Sequence, residues 1–203
     1  FSDKNGIMNL VLINSLDGKI NKNIIEADRS VKFEELHILK PGISWSPNGE
    51  KLVVAVKSGK SDALVIINLQ NNKKEIKRFN LEGVFRPTWH PSENIIAFIG
   101  NNGFSSDIYT YNVNNNELTN HTNDWFSDDQ VSWGEDGKKL LFISDRGHYL
   151  ETNYEFQPPD SILKTIDIEQ TDIYSIDITN NKIIRLTETP HNESYPIYSK
   201  SRG

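Results

Sequence analysis

The chain has 203 residues, 36% hydrophobic and 25% charged, enough for one good-sized core or for an array of small repeated units. Its 22 Lys and Arg against 28 Asp and Glu give a net charge of −6, with both signs spread along the chain, and this disfavours nucleic acid as a partner. With no cysteine, disulfides, thiolate metal sites and a cysteine nucleophile are excluded, and no window approaches the ~20 apolar residues of a membrane span.

In chain order, "GIMNLVLINSLDGKI" from Gly6 to Ile20 is the first β-prone stretch, and it aligns with the later "DIYTYNVNNNEL". The start at Phe1, with no apolar leader or cleavage site, points to processing or to a segment of a longer chain. A weak helical periodicity runs over "EADRSVKFEELHILK" from Glu26 to Lys40. Then "ISWSPNGEKLVVAV" opens a repeat. Trp45, Trp89 and Trp133 recur at intervals of 44, each followed by a turn of Pro, Asn, Gly, Asp, Glu or Ser and then an apolar run. Each unit continues with "DALVIINL", "DIYTYNV" or "DIYSIDI", an Asn-rich turn, and a short last piece, "IKRFNL", "LTNHT" or "IIRLT". Four short β-prone runs per ~44 residues predict an all-β propeller built from four-stranded blades.

This places a partial blade at 1–40 and blades at 41–83, 84–124 and 125–190, with the first strand of a further blade at 191–203. Tyr198 takes the Trp position at the end, 65 residues after Trp133, so the last full blade carries about 21 extra residues, within 148–170. The whole chain reads as a single propeller domain, part of a longer propeller or one whose ends share a blade. Blades typically number about 4–8.

The stretches "WSPNGEKL", "FISDRG", "DIYSIDITNNKIIRLT" and "NESYPIYS" resemble the repeats of TolB-like β-propellers, which also occur in the propeller domains of prolyl-oligopeptidase-type enzymes. The family's Asp-Gly turn appears here as Asn48-Gly49, as Ser92-Glu93 without glycine, and as Asp136-Gly137 without Ser-Pro. Such drift suits a structural turn. The resemblance implies a periplasmic or secreted bacterial protein with protein or peptide partners. It leaves open a second reading, the propeller of a serine peptidase whose catalytic domain lies outside this chain. A metal-dependent enzyme built on the propeller itself is a third.

Each candidate residue has a plain architectural alternative. The tryptophans are expected to fill the space between blades, with their N–H groups partnered. Asp145 and Arg146 of "SDRG" are expected to form an edge pair that pins a loop. The five histidines are isolated in sequence, no metal-ligand spacing or G-x-S-x-G elbow occurs, and no catalytic residue, metal or cofactor is assigned. Binding is assigned to the loops that enter each first strand and to the insertion, which open on one side. These give Phe85 and Arg86; Trp125, Phe126, Asp128 and Asp129; His148, Tyr149 and Tyr154; and His191, Glu193 and Tyr195. Exposed aromatics beside carboxylates suit a peptide, a cationic ligand or a sugar. The insertion is expected to form a lid or docking arm beside Asp128 and Asp129.

Overall fold

The computed structural model describes Ser2 and residues 9–26, 35–36, 42–58, 61–152, 160–164 and 166–199. It is built almost wholly of antiparallel strands. A hairpin of β1 (Asn9–Ile13) and β2 (Ile20–Glu26) comes first. The next sheet pairs β5 (Lys51–Ser58), β6 (Ser61–Asn68) and β7 (Lys74–Lys77), with β3 (Glu35–Leu36) and β4 (Ile43–Trp45) sharing the inner edge of β5. The third sheet runs β8 (Gly83–Trp89), β9 (Ile95–Asn101), β10 (Ser106–Asn112) and β11 (Glu117–Asn120). The fourth runs β12 (Asp128–Trp133), β13 (Lys139–Ser144), β14 (Asp172–Asp177) and β15 (Lys182–Arg185), with the one-turn helix α1 (Asp160–Leu163) between β13 and β14. Consecutive strands pair in meander order, which is the blade arrangement of a β-propeller. Of the stretch with helical periodicity, only Glu26 and Glu35–Leu36 are described, and both are strand.

Middle strands of the second and third sheets run as near-continuous apolar segments because those sheets are covered on both faces. Val53, Ala55, Leu64 and Ile66 of one sheet meet Trp89, Ile96, Phe98, Tyr109 and Tyr111 of the next. The far side of the third sheet, through Ala97, Ile99 and Ile108, meets Trp133, Leu140, Phe142, Tyr174 and Ile176. The β1–β2 hairpin covers Val54, Val56, Val65 and Ile67 with Leu10, Ile24 and Ile25.

Trp89 and Trp133 fill their interfaces, and their indoles donate to Glu93 O and Thr88 O, both at 3.1 Å. Trp45 does not. It is 50% exposed, as is much of Ile43 beside it, because the β1–β2 hairpin lies over β5 and β6 and leaves the outer face of β4 open. Repeat position alone does not bury a side chain; a neighbour is needed.

Turn chemistry follows the repeat. Asn72, Asn116 and Asn181 all take left-handed backbone in the outer hairpins, a conformation Asn tolerates better than other non-glycine residues. In the inner turns Gly49 and Gly137 do the same, whereas the third sheet uses His90, whose Nδ1 accepts from the N–H groups of Ser92 and Glu93. With Nδ1 an acceptor, Nε2 carries the proton and donates to Gly137 O at 3.1 Å. His90 therefore ties two blades together at their turns.

The segment 191–199 lies beside β12 without a strand ladder. Ser132 Oγ donates to Pro196 O at 2.7 Å, and among the described residues no second strand runs beside the segment to complete a sheet.

Candidate functional site

The inner strands approach closely. A Cβ on Gly42 would stand 2.5 Å from Arg86 Cα and 2.4 Å from Pro87 Cδ, so only glycine fits there. The same repeat position is taken by Arg86, Gln130 and Tyr195, and all three hold left-handed backbone, with φ of 50°, 57° and 54°. In β8 and β12 the pairing register slips at this point, between Phe85 and Thr88 and between Asp129 and Ser132. Such bulges re-aim side chains, and non-glycine residues in this region carry backbone strain that the surroundings must hold.

The bulges bring together residues that are far apart in the chain. Arg86 Nε stands 2.8 Å from Asp129 Oδ1 as an ion pair without hydrogen-bond alignment, and its guanidinium lies over the Tyr195 ring at 5.6 Å. Asp129 Oδ1 also accepts from Gln130 N, and Gln130 Oε1 accepts from Tyr195 N. Around them Ser44, Thr88, Val131 and Ile197 complete a groove of about 330 Å³. Tyr195 is 67% exposed at its lip. Arg86, Asp129 and Tyr195 thus meet as one site. Gln130 was missed by sequence reasoning, since only its position in the 44-residue repeat, and not its residue type, marks it.

Four other expectations are corrected. Phe126, Asp128 and Tyr149 are buried, and the Phe126 and Tyr149 rings pack at 5.4 Å, so none of the three faces a ligand. Arg146 does not pair with Asp145. It is wholly enclosed and bridges Asp124 Oδ2 at 2.9 Å and Asp128 Oδ1 at 2.7 Å, with Phe126, Phe142 and Tyr174 around its guanidinium. Strand alternation explains the fate of the two aspartates. Asp128 turns inward to Arg146, and its neighbour Asp129 turns to Arg86.

The remaining assigned residues lie elsewhere. Phe85 is half-buried over Gly83. Trp125 is 49% exposed on the loop above Arg146, and Ser105 Oγ ties that loop to the neighbouring turn by donating to Asp124 O. His148 is exposed beside Arg185 and Glu188, at a second, smaller cavity of about 160 Å³ walled by Asp145, Ile166, Asp167 and Gln170. The described part of the insertion therefore sits beside Asp145 and Arg185, not beside Asp129. His191 is exposed, and Glu193 Oε1 accepts from Thr189 Oγ1 at 2.7 Å. Tyr154 lies outside the described residues.

Burial governs the electrostatics. Asp107, at the head of β10, is pushed up to about 7, first by burial and then by the charge of Asp128, against a hydrogen bond from Asn120. Burial also raises Asp124, against the opposing pull of Arg146, and Asp145, against the hydrogen bond from Ser127 N. His121 is held below its ordinary value by burial, between Thr110 Oγ1 and Asn181 Oδ1. Among the described residues no three His, Asp or Glu side chains form a metal-holding group, and no helix is long and apolar enough to cross a membrane.

No family model matches the sequence. Among solved structures, TolB from Acinetobacter baumannii superposes with a TM-score of 0.67 at 18% identity, over 95% of this chain and 41% of that one. A protein described as a TolB from Agrobacterium tumefaciens gives a TM-score of 0.64 at 14% identity, over 90% and 57%. A prolyl endopeptidase gives 0.52 at 11% identity, over 90% of this chain and 25% of that one. The chain spans about half the length of the TolB structures it matches or less. Blade arrangement, repeat length and these superpositions agree that its fold is that of a TolB-like β-propeller.

Proposed function

We propose that this chain is a non-catalytic propeller platform that holds a protein or peptide partner at the groove between its inner strands. The observation that carries this reading is the meeting of Arg86, Asp129, Gln130 and Tyr195 at bulged, left-handed positions around an open groove. Nothing in the packing of a blade needs an arginine there, since Gly42 and Gln130 serve the same repeat position. The groove offers a charged pair, a side-chain amide and an exposed tyrosine, which suit a peptide backbone and a polar side chain. Likeness to TolB supports a bacterial envelope setting, periplasmic or secreted, with a protein partner. A second reading, the propeller of a serine peptidase, draws on the likeness to prolyl endopeptidase. A G-x-S-x-G elbow in a longer parent sequence would favour it.

A photo-crosslinking residue in place of Tyr195, in cells, tests the platform. Capture of one defined protein, lost on Arg86→Glu in a folded variant, is expected. Equal capture from a crosslinker at Leu16, an exposed turn residue of the β1–β2 hairpin, would defeat it.

A further inference from the structure

Beneath the 121–128 loop, which carries Trp125, three carboxylates and one guanidinium are sealed from solvent. Asp107 stands at the head of β10, Asp124 in the loop, Asp128 at the head of β12, and Arg146 just past β13; each is 0–1% exposed. Arg146 spends its donors on Asp124, Asp128 and Ser144 Oγ. Asp107 accepts instead from Asn120 Nδ2 at 3.0 Å and from the backbone N–H of Asp124. Asp107 Oδ1 and Asp128 Oδ2 are buried with no hydrogen-bond partner. Fully ionised, the cluster would hold three negative charges against one positive, in a place where water cannot screen them.

The groups facing Asp107 bear on its charge from every side. Within the third blade they are Tyr109 and Asn120, both neutral. From the loop and β12 they are Asp124 and Asp128, and from beyond β13 they are Arg146 and, more remotely, Asp145. Tyr149 is near enough to feel the charge of Asp124, and Tyr174 feels both the Asp172–Arg185 pair and the Asp128–Arg146 pair. The cation nearest Asp107 is thus already shared by two other carboxylates. We propose that the Asp107 carboxyl is a proton-operated latch on the 121–128 loop, closed while protonated and loosened when it ionises beside Asp124 and Asp128.

The loop meets the cluster directly, through the Asp124 N–H on Asp107 and through Asp124 and Asp128 on Arg146. Its other ties include Phe126 N donating to Asp124 Oδ1, Ser127 N to Asp145 Oδ1 and Ser105 Oγ to Asp124 O, and it leads into Asp129 and Gln130 of the groove. Ionisation near pH 7, where burial places Asp107, would therefore shift the groove's edge. That consequence rests on the platform reading; the latch itself does not.

Amide hydrogen exchange of the whole chain, corrected for intrinsic rates, reads the latch without any partner. Protection of the 121–128 amides should fall at least tenfold between pH 6 and pH 8.5, and should be flat with pH in Asp107→Asn. Flat protection in the parent, or the same fall in Asp107→Asn, would overturn it. Carbon-13 carboxyl titration of the parent chain guards against a misfolded variant. The Asp107 carboxyl signal itself should titrate near 7, and its titration below pH 5 would refute the latch. Failure of the crosslinking at Tyr195 would leave both readouts untouched.

Discussion

Asp107 and Asp172 occupy the same place in neighbouring blades, at the head of the third strand, and a threonine beside each corresponds. Thr122 Oγ1 accepts from Ile108 N as Thr187 Oγ1 accepts from Ile173 N. Yet Asn120 answers Asp107 where Arg185 answers Asp172 at 2.6 Å. One buried carboxylate has a cation whose other partners, His148 and Glu188, are exposed; the other lies beside a cation committed to two buried rivals. The same scaffold therefore yields a plain ion pair in the fourth blade and a carboxyl pushed up to about 7 in the third. The lesson is that a repeat fixes where a charge sits, while the non-repeating partner decides whether it can be ionised there.

Removing the cation on each side gives the largest break. Arg146→Met leaves Asp124 and Asp128 buried and unanswered, and about 3–5 kcal/mol of stability should be lost at pH 7. Arg185→Met should lose less, about 1–3 kcal/mol, because the Arg185 side chain is 15% exposed and water reaches that pair. Urea unfolding of both variants measures the difference, and equal losses would mean that enclosure is not what separates the two sites.

Asp107→Asn sharpens the same contrast through pH. The folded state raises this carboxyl from 3.8 to about 7. Its ionised form is therefore the disfavoured one, and the stability present at pH 4 drains away as pH climbs toward 7. A shift of this size corresponds to at most about 4 kcal/mol. The Asp107→Asn chain should therefore match its parent near pH 4 and exceed it at pH 8. Denaturant midpoints at the two pH values check this, and a variant weaker than its parent at pH 8 would show that the ionised carboxylate is accommodated.

Much of the fold was legible in the sequence because a blade is a local object. The tryptophans, the Asn turns and the strand-heading aspartates recur once per blade, and each is set by backbone geometry within one blade. What did not repeat was not legible. Arg146 finds Asp124 and Asp128 across loops, 22 and 18 residues away, and nothing in "SDRG" separates a wholly buried guanidinium from a surface one. Asp128 and Asp129 looked alike as loop acids, and only their alternation at the head of β12 sends one inward. Trp45 matched its repeats in sequence but not in burial, since burial belongs to the interface and not to the motif.

The smallest expected effect isolates that point at a turn. Gly49 and Gly137 hold the same repeat position with nearly the same backbone, φ of 71° and 66°. A Cβ on Gly49 meets nothing within 4 Å, so Gly49→Ala should lose only the conformational ~1–2 kcal/mol of a left-handed alanine. At Gly137 the added methyl would fall 1.9 Å from His90 Nε2, the atom that joins two blades by donating to Gly137 O. Gly137→Ala must therefore bear the same backbone strain and also displace the imidazole, adding about 1 kcal/mol for the hydrogen bond lost. Thermal unfolding of the two alanine variants separates the shared strain from the inter-blade contact. Equal losses would show that His90 moves aside without consequence and that the turn, not the contact between blades, sets the need for glycine.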